Sequence, residues 1–468
     1  MWKTPRTRGY LCVMDRISVV GGGLAGTSAA LTLAKFGHEV ELREMRPEKT
    51  TPAHTGGRLA QLVCSNSFKG LSVTGAHGLL KEELRLWGSD LIEAAFEARV
   101  PAGESLAIDR ERFSQAVEER IEASPLIHLV REEVTEIDPE QWTLVAAGPL
   151  ASPALVEQLL TLVGGTRLSF FDAIAPVVNA ESLDEEHCWR ANRWDKGDTT
   201  DFINCPLDKP TYDAFVAGLV EADAVDPRPF ENQELFEGCL PIEEMARRGP
   251  ETLRHGPLRP VGLDDPRTGR WPHAVLQLRA ENREGTLFNL VGCQTRLKWG
   301  EQKRLFSLIP ALAHAEFARL GAMHRNTFLD SPAVLAEDFS LRCAPKVFLA
   351  GQITGAEGYT EAVATGFYAA VGLHQKLSGE SLPMPESCML ASLVRHLTTP
   401  RPPDAPLFQP MNANFGLLPK PSETTGRKPD KTRKKELQAQ AALDSAQAWG
   451  RKVLPWGIPL EEKDARIC

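Results

Sequence analysis

The stretch Ile17-Ser18-Val19-Val20-Gly21-Gly22-Gly23-Leu24-Ala25-Gly26 decides how the start of this chain folds. Its first four residues, mostly β-branched, predict a strand, and a helix rich in small residues is predicted from about Leu24 to Phe36. A second strand over residues 38–44 would complete a βαβ unit. The pattern Gly-x-Gly-x-x-Gly supplies a tight turn, close backbone approach to a pyrophosphate, and close packing of the helix on the strand.

The surroundings of this glycine pattern make it specific. Glu44 follows Gly26 at roughly the 20-residue spacing at which an acid binds a ribose hydroxyl. The helix N-terminus would lie against the phosphates. We therefore expect a dinucleotide site, formed from this end of the chain by Gly21, Gly22, Gly23, Leu24, Ala25, Gly26 and Glu44.

The far end of the chain indicates which dinucleotide binds. A strand is predicted over residues 346–351, followed by a glycine loop and a small-residue helix that contains Ala364-Thr365-Gly366. Such a unit would close over the flavin ring, and the pairing of the two chain ends resembles the two-part FAD site of glutathione-reductase-type flavoproteins. No second Gly-x-Gly-x-x-Gly is present for a nicotinamide dinucleotide. The FAD contacts expected from this end are Gly351, Gln352, Gly355, Glu357 and Gly358.

Strand pattern and composition predict an insertion within the nucleotide-binding domain. Residues 144–149 and 346–351 are typical of parallel-sheet strands, whereas residues 191–330 are richer in Pro, Trp and charge, with strand-like patches such as 274–278. The predicted fold is α/β, a Rossmann-like FAD-binding domain of glutathione-reductase type with an inserted smaller α/β domain. The predicted parts are an N-terminal extension (1–14), a first FAD-binding part (15–190), the insertion domain (191–330), a second FAD-binding part (331–425) and a basic, solvated C-terminal tail (426–468).

Composition narrows the class of protein. The 468 residues are 42% hydrophobic and 25% charged, and no apolar run approaches the roughly 20 residues of a membrane helix. None of the nine cysteines forms a Cys-x-x-Cys pair, so we expect no metal site and no dithiol redox motif. Without a recognisable secretion signal, we expect a cytoplasmic protein with no membrane association. The net charge of −9 is unpromising for nucleic-acid binding but leaves room for a local basic patch.

Several longer motifs resemble one known family. They include Cys64-Ser65-Asn66-Ser67 in the long loop that follows the βαβ unit, Gly238-Cys239-Leu240-Pro241-Ile242-Glu243, and the segment 296–302. Further matching segments are 44–47, 78–84, 323–327 and 408–412. Over about residues 15–420 the chain resembles the FAD- and folate-dependent tRNA (uracil-5-)-methyltransferases. The related FAD enzymes that build carboxymethylaminomethyl groups on tRNA wobble uridines share the dinucleotide fold but not the loop or the Cys-Leu-Pro-Ile-Glu motif.

This resemblance implies methylation of C5 of the T-loop uridine, position 54 of tRNA, with methylenetetrahydrofolate as carbon donor and FAD reduced by NADPH or NADH. C5 of uracil becomes nucleophilic after a thiolate adds at C6, and a second acid/base group must help to remove the C5 proton. The family gives these roles to two cysteines, which match Cys239 and Cys64. We assign Cys239 to the attack on C6 and Cys64 to proton transfer or protection of the intermediate, and the reverse division stays open.

Further polar residues are candidates for substrate or folate contact. They are His54, Arg296, Lys298, His324, Arg325 and Asn326, with Trp299, Lys303 and Arg304 as a possible phosphate-binding surface. The alternative is that these side chains form a solvated face without a binding role. Two other functions stay open: an FAD-dependent oxidoreductase of a small metabolite, and a tRNA-binding flavoprotein without catalysis. The sequence sets neither the oligomeric state nor the choice between NADH and NADPH.

Overall fold

The structure, a computed structural model, describes residues 16–51, 53–54, 56–165, 168–196, 199–225, 240–402, 404, 408–420 and 430–457. Its strands are β1 (Ile17–Val20), β2 (Val40–Glu44), β3 (Ser67–Gly70), β4 (Arg99–Val100), β5 (Ser105–Ile108), β6 (Ile127–Arg131), β7 (Thr143–Val145), β8 (Leu168–Ala173), β9 (Val177–Asn179), β10 (Trp189–Arg190), β11 (Ile203–Leu207), β12 (Ala274–Ala280), β13 (Leu287–Leu290), β14 (Phe317–Arg319), β15 (Met323–Phe328) and β16 (Val347–Leu349). Its α-helices are α1 (Leu24–Lys35), α2 (Ala76–Leu86), α3 (Asp90–Glu97), α4 (Arg110–Ala123), α5 (Pro153–Val163), α6 (Lys209–Glu221), α7 (Ile242–Arg247), α8 (Thr252–His255), α9 (Trp299–Phe306), α10 (Ser331–Val334), α11 (Tyr359–Ser378), α12 (Met389–Thr398) and α13 (Lys431–Val453).

Five strands form a parallel sheet in the order β16-β7-β1-β2-β6. Ile17 lies opposite Val40 on one side of β1, and Ser18 lies opposite Thr143 on the other. All residues of β1, β7 and β16 are buried, as expected for parallel strands covered on both faces. The α/β class and the two parallel strands predicted near residues 144–149 and 346–351 are therefore confirmed.

Helix α11, from the far end of the chain, packs directly on α1. Ser28 Oγ donates a hydrogen bond of 2.9 Å to the carbonyl of Val363. A Cβ atom added at Gly366 would lie 2.1 Å from the carbonyl oxygen of Ala25, so the backbones can approach this closely only at a glycine. The same packing places Gly351, after β16, against Ala25. The turns after β1 and β16 are thereby brought together.

A second sheet has six strands in the order β10-β11-β12-β13-β9-β14, and all neighbours are antiparallel. The predicted strand at residues 274–278 is confirmed as β12. This sheet already begins at Val177, so the predicted insertion boundary at residue 191 falls inside it. Three residues of β9 are too few to show a strand period, which explains why the sequence placed the boundary later. Strands β8 and β15 pair as a separate antiparallel ribbon.

The C-terminal segment differs from the solvated tail that its basic residues predicted. Helix α13 packs on α2, where Trp87 Nε1 donates to the carbonyl of Ala446 at 3.0 Å, and the rings of Trp87 and Trp449 lie 5.2 Å apart. The buried stripe of α13 includes Ala439, Ala442 and Ala446. Alanines give a weak hydrophobic pattern, so the lysines and arginines at the start of α13 dominated the sequence-based interpretation.

Candidate active site

A cavity of about 310 Å³ lies at the carboxyl ends of the parallel strands. In open α/β sheets this edge is where ligands bind, and the volume is that of a small-molecule site. Both ends of the chain contribute to its wall, as the sequence predicted for a two-part site. The predicted cofactor residues that line it are Gly21, Gly23, Leu24, Ala25, Glu44, Gly351, Gln352, Glu357 and Gly358.

The glycine turn combines one crowded position with one open position. A Cβ at Gly26 would lie 1.8 Å from the carbonyl oxygen of Gly21, so the first turn of α1 requires glycine there. A Cβ at Gly23 would meet no protein atom within 4 Å, because this position faces the cavity. The turn therefore leaves room for a phosphate group to reach the backbone at the start of α1, and it fits the pyrophosphate of a dinucleotide.

Glu44 is buried at the end of β2, where its carboxylate is held by neighbours in the chain. Gly22 N donates to Oε2 at 2.8 Å, and Arg46 donates to Oε1 through N at 3.0 Å and Nε at 2.8 Å. Burial alone would raise the pKa of Glu44, but the hydrogen bonds and charge of Arg46, with the Gly22 amide, lower it overall. Glu44 is thus a fixed anion in the cavity wall, where the sequence predicted a ribose acceptor.

The second part of the cavity wall surrounds the start of α11. Gln352 Nε2 donates to the carboxylate of Glu357, which fixes both side chains next to Gly358. Gly355, in contrast, does not line the cavity: a Cβ there would lie 2.5 Å from the ring of Phe408. The 20-residue helix α11 begins directly after Gly358, so its amide end faces the cavity and favours an anionic group there.

Basic side chains lie near the start of α11. Lys69 lines the cavity with a left-handed backbone (φ 66°), and Glu361 in the first turn of α11 lies 2.9 Å from His77 Nδ1. Burial would raise the pKa of Glu361, but His77, Lys69 and the amide of Ala413 lower it overall. Lys81 donates to the carbonyl of Phe68 at 2.7 Å, and burial lowers its pKa to about 7 although Glu361 opposes this.

Cys64 lines the same cavity on a loop that is held from the far end of the chain. The hydroxyl of Tyr359 accepts hydrogen bonds of 3.0 Å from the amides of Cys64 and Ser65, and it donates to the carbonyl of Ser65 at 2.9 Å. Arg110 Nη2 donates to the carbonyl of Cys64 at 3.2 Å. The loop backbone is therefore clamped, and a thiol lies at a defined position in the wall of the dinucleotide cavity.

A second cavity of about 100 Å³ adjoins Cys64, and the sequence analysis did not predict it. It is bordered by Cys64, Ser65 and Gln294 and by two strand residues of the antiparallel sheet, Arg279 and Asn289. Gln294, Cys64 and Ser65 line both cavities, so the two spaces meet there. The available signal was the alternation of Gln277 and Arg279 in β12, and of Glu281 just after it, with apolar residues, which marks one face of the strand as polar.

Comparison with known proteins identifies the family. Residues 16–381 match the family model described as "Glucose inhibited division protein A". Over 430 residues the chain is 54% identical to the methylenetetrahydrofolate--tRNA-(uracil-5-)-methyltransferase TrmFO of Geobacter sulfurreducens, which covers 92% of this chain and 98% of that protein. The protein of the same name from Natranaerobius thermophilus is 50% identical over 429 residues, 92% of this chain and 97% of that one. The chain belongs to the TrmFO family.

A solved structure shares the architecture of this chain. The form II crystal structure of Aquifex aeolicus GidA covers 93% of this chain and 74% of its own, with a TM-score of 0.65 and 14% sequence identity. At this identity the likeness shows the fold alone. The resemblance inferred from the sequence motifs and the predicted fold class are both confirmed by these comparisons.

The other residues predicted to contact substrate or folate lie at different places. His54 lines the larger cavity, with Nδ1 2.5 Å from Thr51 Oγ1. Arg296 pairs with Glu244, and Lys298 lies 3.0 Å from Asp223; neither residue lines a cavity. Residues 324–326 form part of β15, whose side chains at these positions are outside the described set.

Cys239 lies outside the described residues, but the chain that follows it is anchored near the cavity. Ile242, three residues later in the sequence, donates its amide to the carbonyl of Gln294 at 2.8 Å, and Gln294 lines both cavities. The neighbouring Glu243 is fully buried and accepts from Thr295 Oγ1 at 2.8 Å and from the amide of Arg296 at 2.9 Å. The Leu-Pro-Ile-Glu motif therefore anchors the chain directly after Cys239.

Proposed function

We propose that this protein methylates C5 of uracil in tRNA, with methylenetetrahydrofolate as the carbon donor. One observation carries the proposal: in a chain 54% identical to an enzyme of that name, a cysteine lies in the wall of the dinucleotide cavity. The finer proposal is that the target is the T-loop uridine at position 54. A thiol beside a redox cofactor suits a reaction that needs both a nucleophile and a reductant.

FAD is the cofactor that the cavity fits. The open position at Gly23 and the N-terminus of α1 would hold its pyrophosphate, and Gly351, Gln352 and the N-terminus of α11 would hold the flavin end. When bound and reduced by NADPH or NADH, FAD supplies the hydride that converts the transferred methylene group to methyl. The chain's own task is to activate the base, to hold it, and to move one proton.

In the proposed reaction the thiolate of Cys239 forms a bond to C6, and the electrons of the C5=C6 bond move onto O4. C5 then bonds to the methylene carbon as one of the two bonds from that carbon to folate nitrogens breaks. Loss of the C5 proton expels the second nitrogen and leaves an exocyclic methylene group on the ring. The hydride adds to this group as the thiolate departs, which restores the C5=C6 bond. We assign the proton transfer to Cys64, whose loop is clamped by Tyr359. In sum, one proton leaves C5, one carbon moves from folate to C5, and one hydride arrives.

For the tRNA, we propose that the insertion domain supplies part of the binding surface. Trp299, exposed at the start of α9, and the neighbouring Lys298 and Lys303 suit contact with a base and with phosphates. His54, in the wall of the larger cavity, is assigned to folate or substrate contact. Within the described residues no helix is long and apolar enough to cross a bilayer, and we place the reaction in the cytoplasm, where tRNA is modified.

The test is methyl transfer by the purified protein. FAD-loaded protein is incubated with unmethylated tRNA transcript, methylene-labelled methylenetetrahydrofolate and NADPH, and the nucleosides are separated. Label in 5-methyluridine is expected, and a transcript with cytidine at position 54 should take none. Oxidation of NADPH without label in the tRNA would instead support a small-molecule oxidoreductase. Tight tRNA binding with no turnover would support a non-catalytic flavoprotein.

A further inference from the structure

A row of cross-strand partners crosses the antiparallel sheet beside Cys64. We call it the polar row because three of its members are polar: Arg279, Asn289 and Arg319. Arg279 on β12 lies opposite Asn289 on β13, Asn289 lies opposite Val177 on β9, and Val177 lies opposite Arg319 on β14. Cross-strand partners share a face of the sheet. The other face carries an apolar core that includes Leu278, Phe288 and Leu290. The row therefore belongs to the face turned toward the Cys64 loop.

Three contacts fix this face against the loop. Arg279 Nε donates to Asn66 Oδ1 at 3.0 Å, and Asn66 Nδ2 donates back to the carbonyl of Ala280 at 2.8 Å. Glu281, directly after the end of β12, pairs with Arg110 at 2.7 Å. The loop that carries Cys64 and the polar row are thus held as one unit.

The polar row has more donors than the protein satisfies. Asn289 is 3% exposed, and its Nδ2 has no hydrogen-bond partner among the described residues; the same holds for Nε and Nη2 of Arg319. Burial and the nearby charge of Arg110 lower the pKa of both Arg279 and Arg319, and the carboxylate of Glu281, which pairs with Arg110, opposes this in both. Buried donors without partners destabilise a fold. Asn289 lines the smaller cavity, so a hydrogen-bond acceptor on a ligand in that cavity would satisfy its unpartnered donor.

The size and position of the cavity restrict that ligand. About 100 Å³ accommodates several water molecules or one small planar ring. Cys64, Arg279 and Asn289 all line this cavity. A ring that places one atom against the thiol must therefore carry a hydrogen-bond acceptor on the neighbouring ring atom, toward Arg279 and Asn289. In uracil, C4 with its oxygen is bonded directly to C5. A base whose C5 points at Cys64 therefore brings O4 beside the polar row.

We propose that Asn289 and Arg279 bind the O4 edge of the substrate uracil, an inference that rests on the proposed function. The amide of Asn289 donates through Nδ2 to O4 and accepts from N3–H through Oδ1. Arg279 donates to O4, the atom that receives the electron pair when the thiolate bonds to C6, and Arg319 adds positive charge behind it. Arg279 has donors only, so it opposes the amino group that cytosine carries at C4.

The experiment uses two leucine substitutions on this face with opposite expected behaviour. Asn289→Leu removes a donor that has no partner among the described residues, so the folded protein should be as stable as wild type, while kcat for methyl transfer falls about 100-fold. Gln277→Leu is the matched control: Gln277 bonds to Asn204 at 2.9 Å and to Arg193 at 3.1 Å and lines neither cavity. It should lose stability and keep kcat.

A chemical counterpart tests the assignment of O4. tRNA with 4-thiouridine at the target position weakens the acceptor, so wild type should slow down, whereas Asn289→Leu should slow little further. Arg279→Gln should allow measurable attack on cytidine-substituted tRNA, read as tritium release from C5, because its amide oxygen can accept from the cytosine amino group. FAD content and tRNA Kd should stay within twofold of wild type in every variant.

The outcomes separate this inference from the proposed function. Wild type that transfers no label contradicts the proposed function. If wild type methylates and Asn289→Leu does so at the same rate, or if the 4-thiouridine and Asn289→Leu losses multiply, the assignment of the O4 edge is overturned. Loss of FAD from Asn289→Leu would reassign the pocket to the cofactor. A change confined to tRNA Kd and its salt dependence would reassign it to an RNA phosphate.

Discussion

The two large sheets of this molecule use their residues in opposite ways. The parallel sheet is covered on both faces, and its strands contribute buried apolar side chains such as those of β1 and β16. Its chemistry lies at the strand ends, where backbone amides and turns border the larger cavity. The antiparallel sheet has one apolar face and one face with Arg279 and Asn289 directed at the smaller cavity.

This difference shows how one site can combine two kinds of recognition. Backbone groups at the ends of parallel strands suit phosphates, because amides and helix termini bind anions whatever the side chains are. Side chains on an open sheet face suit a base, because their donors and acceptors can be chosen one by one. Cys64 lies where the two cavities meet, so the proposed reaction takes place at the junction of the two sheets.

The largest effect is expected at this junction. Cys64→Ala should lower the rate of methyl transfer by about 1000-fold, because the proposed proton transfer loses its group. The loop should remain in place, since Tyr359 and Arg110 hold it through backbone atoms. Cys343→Ala, an exposed cysteine that lines neither cavity, is the matched control and should keep the wild-type rate. A Cys64→Ala protein with undiminished transfer would remove Cys64 from the mechanism.

The next effect compares one buried Arg–Glu pair from each region. Glu281→Gln should lower the free energy of unfolding by about 3 kcal/mol, because it leaves Arg110 and the arginines of the polar row without their shared carboxylate. Glu44→Gln should destabilise less, since a single arginine, Arg46, pairs with Glu44 and the new amide oxygen can still accept from Gly22. Urea unfolding followed by tryptophan fluorescence measures both. Equal losses would contradict the view that Glu281 balances several charges.

Two glycines of the first region separate stability from cofactor binding. Gly26→Ala should destabilise the FAD-free protein by about 2 kcal/mol, because its Cβ collides with the Gly21 carbonyl. Gly23→Ala should leave the FAD-free protein unchanged and weaken FAD binding, because its Cβ enters the cavity. Thermal unfolding without FAD and equilibrium titration with FAD distinguish the two. If Gly23→Ala binds FAD as wild type does, the pyrophosphate lies elsewhere.

The smallest effect is a pH dependence in the parallel-sheet region. His38, before β2, has Nε2 2.9 Å from Nδ1 of His374 on α11, and burial followed by the charge of His374 lowers the pKa of His38 from 6.5 to about 4. The unfolded chain binds a proton as the pH falls through 6.5, but the folded chain does not until about pH 4. Stability should therefore be complete above pH 6.5 and fall as the pH drops from 6.5 toward 4. In His38→Gln this part of the pH dependence should disappear; its persistence would assign it to other groups.

Features that depend on residues close together in the sequence could be predicted, whereas features that depend on contacts between distant residues could not. The strand, glycine turn and helix at residues 17–35 were predicted nearly to the residue, because their steric requirements lie within ten neighbouring residues. The position of Cys64 was not predictable from local pattern, since Tyr359, which clamps its loop, is 295 residues away. For β12, alternation showed a polar face, but only the packing of the sheet on the Asn66 loop makes that face an inner surface. Helix α13 escaped prediction because alanines form its buried stripe.

The packing of α1 on α11 also sets an order of events during synthesis. Ser28 meets Val363 across 335 residues of sequence. At the roughly 5 to 20 residues per second at which chains are made, about 15 to 70 seconds pass between the synthesis of α1 and that of α11. During that interval the first βαβ unit must remain on the ribosome with an apolar helix face uncovered. FAD can complete its contacts only after α11 has been made, so the cofactor binds when most of the chain has already been synthesised.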